Sequence, residues 1–243
     1  TFMKSSFRGL SKNPLEKTLL QYGLPKQIIQ ALSSTRMTHL REIQKLALEK
    51  GIIDNKSFFV FAPSGSGKTL IAEFASITNI IKNRKKVLYL VPLRALAAEK
   101  YRSFSHRYAN NHIKISMIVG DQEIPPDRLD ETDLFFMTYE KFDAFLRKDL
   151  KARWITDITT IVVDEIHLIG DNQRGPRLEH LIIRMYQLSS KRQFLFMSAT
   201  IENPELIFRW INNLENKYNH SELEKILYRK RPVKLIHKLL IAA

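Results

Sequence analysis

The chain has 243 residues, 44% of them hydrophobic, which is enough for one large domain with its own core. Its 39 basic and 25 acidic residues give a net charge of +14, which favours a polyanionic partner such as nucleic acid, although a solvated lysine-rich surface has the same composition. The absence of cysteine excludes disulfides and thiolate metal sites. No apolar run approaches the roughly 18 residues of a membrane span, and residues 1–4 do not begin a secretory signal, so we expect no membrane partner and an intracellular location, cytoplasmic, nucleoid or nuclear.

Helical patterns fill about the first fifty residues. They predict one helix that ends at Gly23, a second that begins at Pro25, and a third that Thr38 caps and Gly51 ends. We therefore assign residues 1–50 to a helical lead-in.

Strands and helices alternate after this lead-in. Buried strands are predicted over 58–61, 86–91, 113–119, 134–137, 158–163 and 194–197, and helices over 69–81, 95–108, 141–150, 176–188 and from 204 to about 211. Residues 121–133 and 212–231 are predicted to be surface connections, and 233–241 a last strand or the start of a further element. This alternation predicts an α/β fold with a mostly parallel central sheet and helices on both faces. The core takes residues 51–212 and an exit segment takes 213–243.

Small residues fill the stretch 62–69 (APSGSGKT), between a predicted strand and a predicted helix. Their backbone N–H groups and the start of the helix point at the same place, which predicts a phosphate-binding loop. Lys68 would reach the terminal phosphates and the Thr69 hydroxyl would hold Mg²⁺. Ala62 stands where the pattern usually has Gly. A chance Gly/Ser turn lacks the flanking strand and helix, so we take Pro63, Ser64, Gly65, Ser66, Gly67, Lys68 and Thr69 as the binding residues.

An acid pair, Asp164 and Glu165, directly follows the predicted strand 158–163. The carboxyl ends of parallel strands meet at the edge of the sheet where a phosphate loop also lies. Asp164 would hold Mg²⁺ and Glu165 would orient or deprotonate a water, so these two and Lys68 are the candidate catalytic residues. Zinc is not expected, since His167 has no second histidine at ligand spacing.

Together the loop and the stretch 164–167 (DEIH) resemble the DExH group of superfamily 2 helicases. Within that group the chain is similar to the Ski2-like family, which includes the archaeal Hjm-type DNA helicases. Residues 92–97 (PLRALA) resemble motif Ia of that family, 138–141 (TYEK) motif Ib and 198–200 (SAT) motif III. Matches at 120–121, 167–176 and 231–233 fall in the family's order. The resemblance covers roughly residues 24 to 236, nearly the whole chain.

The resemblance implies a RecA-like P-loop domain and assigns roles that periodicity does not. Gln44 would read adenine, although the Pro that often precedes this Gln is absent from residues 40–43. His167, Ser198 and Thr200 would couple the nucleotide state to domain movement, with a hydroxyl bonded to Asp164 or His167. The implied nucleic-acid contacts are Pro92, Leu93, Arg94, Gly120, Asp121, Thr138 and Tyr139; by periodicity alone Arg94 is a solvated charge and Tyr139 a core aromatic.

The implied function is that of the first motor domain of an ATP-dependent helicase, with ATP and Mg²⁺ as cofactors and single-stranded or branched DNA as partner. The second RecA-like domain of such enzymes carries an arginine finger in a Gln-x-x-Gly-Arg-x-x-Arg pattern, which this sequence lacks. We therefore expect a first motor domain alone, with poor ATP hydrolysis by itself and a second domain as its partner in cis. An RNA helicase domain, a non-hydrolysing nucleic-acid-binding module and a P-loop small-molecule kinase stay open as alternatives.

Overall fold

One parallel sheet runs through the computed structural model, which describes residues 14–35, 37–121, 123–188, 191–199, 203–218 and 223–230. Seven strands in these ranges pair side by side, and every pair is parallel. In chain order the strands are β1 Ser57–Phe61, β2 Lys86–Val91, β3 Ile115–Ile118, β4 Leu134–Thr138, β5 Ile158–Val163, β6 Gln193–Ser198 and β7 Leu223–Leu227. Their order across the sheet is β3-β4-β2-β5-β6-β1-β7. The predicted α/β class is confirmed, and the sheet is parallel throughout the described residues.

Helices cover both faces of this sheet, as expected when parallel strands are joined by crossover connections. None of the helices in the described ranges is both long and apolar enough to cross a membrane. They are α1 Pro14–Gln21, α2 Lys26–Ser33, α3 Glu42–Glu49, α4 Lys68–Asn83, α5 Arg94–Arg107, α6 Pro126–Glu131, α7 Tyr139–Lys148, α8 Arg153–Thr156, α9 Gly175–Gln187 and α10 Pro204–Lys217, with a 3₁₀ helix over Ile166–Gly170.

Alternation along the strands divides the core into two clusters. Phe58 and Val60 of β1 face α1 to α5, whereas Phe59 and Phe61 face α7 to α10. Along β2 the same alternation places Val87 and every second residue after it in the first cluster, and the residues between them in the second. Because both faces are covered, the central strands are apolar almost throughout, which is why they could be predicted as buried runs.

The lead-in helices belong to the first of these clusters. Buried residues of α1, α2 and α3, among them Leu19, Ile28 and Ile43, join the same core as α4 and the adjacent face of the sheet. The tight turn after α1 uses Gly23 at φ 72°. The third helix begins at Glu42 with Arg41 as N-cap, so the prediction that Thr38 caps it is wrong.

Two predicted connections contain regular structure. Residues 121–133 include α6, and 212–231 include the end of α10 and all of β7. Helix α10 was expected to end near Ile211, but it continues to Lys217. Leu214 and Glu215 are buried one turn after Ile211, whereas the polar Asn213 is exposed. Strand β7 pairs with β1 over its whole length. The predicted strand 233–241 lies outside the described residues.

Candidate functional site

The loop 62–67 joins the carboxyl end of β1 to the start of α4, as the sequence predicts. Gly67 is the N-cap of α4 and has φ 100°, a conformation that other residues adopt with strain. A Cβ at this position would also overlap the Nε2 atom of Gln44. Glycine is therefore required at Gly67 both by its backbone conformation and by the close approach of a neighbour.

Lys68 folds back over the loop that precedes it. Its Nζ donates hydrogen bonds of 2.7 Å to the carbonyl of Ala62 and 3.2 Å to that of Pro63. Burial lowers the pKa of Lys68, and the nearby charges of Glu165 and Asp164 act in the opposite direction. The ammonium group is thus held in the cavity by backbone carbonyls, and the charges of two carboxylates favour its protonated form.

Asp164 follows β5 and is buried at the same edge of the sheet. Its Oδ2 accepts a 3.1 Å hydrogen bond from Tyr89 Oη on the adjacent strand β2, and its Oδ1 accepts one of 3.1 Å from the backbone N–H of Glu165. Burial raises the pKa of Asp164, while the charge of Lys100, the hydroxyl of Tyr89 and the charge of Lys68 lower it. Hydrogen bonds from its neighbours thus orient this carboxylate.

Glu165 adopts a left-handed backbone conformation, with φ 56°. Such a conformation costs on the order of 1 kcal/mol or more in a non-glycine residue and is common at functional sites. Its Oε2 lies 3.2 Å from Nδ1 of His167, although the two atoms lack hydrogen-bond geometry. The two acids therefore have different surroundings: Asp164 is buried, and Glu165 lies beside His167.

One cavity of about 710 Å³ brings the predicted loop and acid residues together. Its walls also carry residues from the connection between α2 and α3 and from α5. The predicted site residues that line it are Gln44, Ser64, Gly65, Gly67, Lys68, Thr69, Asp164 and Glu165.

The oxygen atoms of Thr69 and Asp164 suit a hard cation. In the part of the chain that the structure describes, no group of three or more His, Asp or Glu side chains could enclose a metal by itself. Mg²⁺ does not need such a cage, because it is usually held by one or two protein oxygens together with phosphates and waters. The residues present thus fit a Mg²⁺–nucleotide complex better than a structural metal.

Gln44 is buried with both of its amide atoms bonded to protein. Its Oε1 accepts from the backbone N–H of Arg41 at 2.9 Å, and its Nε2 donates to the carbonyl of Gly67 at 3.3 Å. The guanidinium of Arg41 also donates to the carbonyl of Gly65. In this geometry Gln44 ties α3 to the loop, and its role in reading adenine stays a prediction.

Six of the seven predicted nucleic-acid contacts line a separate groove of about 410 Å³. The guanidinium of Arg94 lies over Gly120, where a Cβ would come within 3.2 Å of it, and Gly120 has φ 69°. Leu93 is one of the few large apolar side chains that is more than half exposed. The six residues are Pro92, Leu93, Arg94, Gly120, Asp121 and Thr138.

Tyr139, the seventh, is buried rather than in this groove. Its hydroxyl donates to the backbone carbonyl of Asp164, so it joins the start of α7 to the acid strand. The Thr138 hydroxyl accepts from the N–H of Lys141 at 3.3 Å and caps α7. Both residues have structural partners, which leaves their direct contact with nucleic acid as a prediction.

Ser198 also bonds differently from the expectation. Its hydroxyl donates to the carbonyl of Ala199 at 2.8 Å, so Ser198 does not form the expected bond to Asp164 or His167. The backbone carbonyl of Ser198 instead accepts from the N–H of Ala62, which links β6 to the loop. Thr200 lies outside the described residues.

Several residues of the site were missed from the sequence. Lys100 donates a 2.8 Å hydrogen bond to Oγ1 of Thr69, and Tyr89 bonds Asp164. Arg174 donates to the Pro92 carbonyl at 2.6 Å and to Glu140 at 2.8 Å, so it holds the groove together. A tyrosine in an otherwise aliphatic strand was a weak signal for Tyr89. Lys100 gave none beyond its charge. Arg174 lies within the family match at 167–176, but no role was assigned to it, because its partners are distant in the chain.

Fold and site together define a RecA-like P-loop domain. The model of the DEAD/DEAH box helicase family matches residues 41–207, well over half of the chain. The chain therefore belongs to the DEAD/DEAH box helicase family, and the resemblance stated from its motifs is confirmed.

Curated relatives with the name ATP-dependent DNA helicase Hel308 are similar over most of the chain. The protein of Methanococcus vannielii is 35% identical over 86% of this chain, and that of Methanocaldococcus jannaschii 37% over 87%. That of Pyrococcus horikoshii is 38% identical over 78%. The matched region spans only 28%, 18% and 26% of the three relatives, respectively.

A solved structure, that of the DUF1998 helicase MrfA, shares the fold. It superposes with a TM-score of 0.66 over 84% of this chain and 32% of the other, at 21% sequence identity. At that identity the likeness concerns the fold alone.

Proposed function

We propose that this chain is the ATP-binding motor domain of a DNA helicase, which couples ATP hydrolysis to movement along a nucleic-acid strand. The observation that carries the proposal is the shared cavity of about 710 Å³, lined by Lys68, Thr69, Asp164 and Glu165 at the carboxyl edge of the sheet. The names of the Hel308 relatives support DNA as the substrate.

Each residue of the cavity has a chemical task in this proposal. The backbone N–H groups of the loop and the ammonium of Lys68 bind phosphate oxygens. Thr69 and Asp164 hold Mg²⁺, which would neutralise charge on the phosphates. Glu165, which lines the cavity beside His167, orients the attacking water and accepts its proton.

The proposal extends to partners. Nucleic acid, as single-stranded or branched DNA, binds the groove formed by Pro92, Arg94 and Gly120, where contacts to phosphate would grip the backbone without reading sequence. A second RecA-like domain in cis would supply the arginine finger that completes the hydrolytic site.

Replacement of Lys68 by alanine tests the nucleotide site. We expect affinity for Mg²⁺·ATP to fall by roughly 10- to 100-fold, because charge-assisted hydrogen bonds to phosphate are lost. Isothermal titration calorimetry measures the affinity, and circular dichroism checks that the fold persists. The matched control is Lys82→Ala, on the same helix α4 but exposed and outside the cavity lining. Equal affinity of Lys68→Ala and the unaltered chain would refute the proposal.

A further inference from the structure

Lys100, in the middle of α5, directs a cation at the oxygen atoms that the proposed function assigns to Mg²⁺. Its Nζ donates a 2.8 Å hydrogen bond to Oγ1 of Thr69. Among the nearby groups that lower the pKa of Asp164, the charge of Lys100 has the largest effect. A positive charge therefore already bonds one proposed metal ligand, Thr69, and acts electrostatically on the other, Asp164, in the cavity that all three residues line.

The ammonium group and a divalent cation cannot both keep this position. Mg²⁺ binds its oxygen ligands at about 2.0–2.1 Å. A metal on Oγ1 of Thr69 would then lie within about 5 Å of a Lys100 Nζ that still bonds the same atom, and two cations so close in a partly buried cavity repel each other. Lys68 adds a third charge, and Lys100 already lowers its pKa.

The packing of α5 does not depend on Lys100. Arg107 and Tyr108, at the end of the helix, bond the carboxylate of Glu73, which is fully buried on α4. Phe104 and Ala97 of α5 pack in the same hydrophobic cluster as Tyr108. The half-buried side chain of Lys100 can therefore leave Thr69 while α5 stays in place.

We propose that Lys100 is a built-in substitute for the divalent cation: its ammonium occupies the position beside Thr69 and Asp164 and is displaced when Mg²⁺ binds with nucleotide. The inference rests on the proposed function and assigns a positioning role that neither the motifs nor the relatives' names contain. It predicts that Lys100 supports nucleotide binding without metal and competes with the metal when it is present.

The test compares nucleotide affinity with and without metal. ADP is titrated calorimetrically into the full 243-residue chain, once with saturating Mg²⁺ and once with EDTA. The readout is the affinity in Mg²⁺ divided by the affinity in EDTA. In Lys100→Gln we expect weaker binding in EDTA and unchanged or tighter binding in Mg²⁺, so the ratio rises by about tenfold. Arg102→Gln is the matched control: it removes one charge from the same helix at an exposed position outside the cavity lining.

The possible outcomes separate this inference from the proposed function. An unchanged ratio would overturn the inference. If ADP affinity falls equally in both conditions, Lys100 is an ordinary phosphate ligand and the nucleotide site is intact. No ADP binding by the unaltered chain would overturn both proposals. Lys100→Met, which keeps most of the unbranched apolar stem without the charge, is the second variant if Lys100→Gln unfolds, and the same ratio decides.

Discussion

Gly175, the first residue of α9, has almost no space beside its Cα. A Cβ there would overlap the backbone carbonyl of Ile169, whereas a Cβ at Gly170 would meet nothing within 4 Å. The residue before it, Arg174, holds both the Pro92 carbonyl and Glu140. Close packing at Gly175 therefore also positions one wall of the groove that Arg94 lines.

We expect Gly175→Ala to destabilise the protein by about 1–3 kcal/mol, because the carbonyl of Ile169 must move to admit the methyl group. Thermal or denaturant unfolding measures the change. Gly170→Ala, five residues earlier, is the control and should stay within about 0.5 kcal/mol of the unaltered chain. Similar effects of both substitutions would contradict the steric argument.

At the scale of elements, α9 and α10 meet through a buried carboxyl group. Tyr186 of α9 donates a 3.0 Å hydrogen bond to Oε1 of Glu215 on α10, and Glu215 is almost completely buried. Burial raises the pKa of Glu215 from 4.5 to about 7, and hydrogen bonds from Ser57 and Tyr186 only partly offset this. Near neutral pH this contact between α9 and α10 therefore depends on whether the carboxyl group of Glu215 is protonated.

The raised pKa predicts a pH-dependent stability. The folded state binds this proton more tightly than the unfolded state, so the contribution of Glu215 is fully present below pH 4.5 and is lost as the pH rises through about 7. Glu215→Gln removes this loss, and its stability relative to the unaltered chain should rise by about 2–3 kcal/mol between pH 5 and 8.

Urea unfolding at a series of pH values measures this difference. Glu205→Gln is the control, on the same helix α10 but half-exposed and paired with Lys225. Its relative stability should not change with pH over the same range. A flat profile for Glu215→Gln as well would mean that the carboxyl group of Glu215 is already ionised at pH 5.

At the scale of the whole molecule, two sites share one edge of the sheet. The nucleotide cavity lies around the carboxyl ends of β1 and β5, and the groove with Arg94 lies around those of β2 and β4. Tyr139 joins them, because it begins α7 beside the groove and bonds the carbonyl of Asp164. The net charge of +14 favours polyanionic partners in general.

This arrangement predicts how nucleic acid binds. Arg94→Ala should weaken binding to single-stranded DNA by about three- to tenfold regardless of sequence, and reduce the salt dependence of log affinity by about one unit of slope. Fluorescence anisotropy at several salt concentrations measures both quantities. Arg153→Ala is the control, since Arg153 is highly exposed on α8, which precedes β5 at the opposite edge.

The same measurement with RNA of matching sequence decides between the two nucleic acids. Tighter binding of RNA than of DNA would favour the RNA helicase alternative. An unchanged affinity of Arg94→Ala for both would show that this groove is not the binding site. Absence of any nucleic-acid binding would contradict the nucleic-acid part of the proposed function.

Local patterns alone determined the buried central strands and the nucleotide motifs. Strands β2 and β5 have the predicted bounds, because a strand buried on both faces is a continuous apolar run. The phosphate loop and the acid pair were also readable, since their chemistry requires particular residues at neighbouring positions. The family, confirmed by its model over residues 41–207, rests on the same short stretches.

Only the tertiary structure decided which distant residues meet. Residues 223–227 (LEKIL) are a strand because β1 offers an edge to pair with, which no local pattern encodes. Lys100 lines the nucleotide cavity from α5, and Tyr89 on β2 bonds Asp164, which also lines it. Arg174 lines the groove from the position just before α9. Their roles depend on which parts of the chain become neighbours, and that is decided by sheet order and helix packing rather than by sequence spacing.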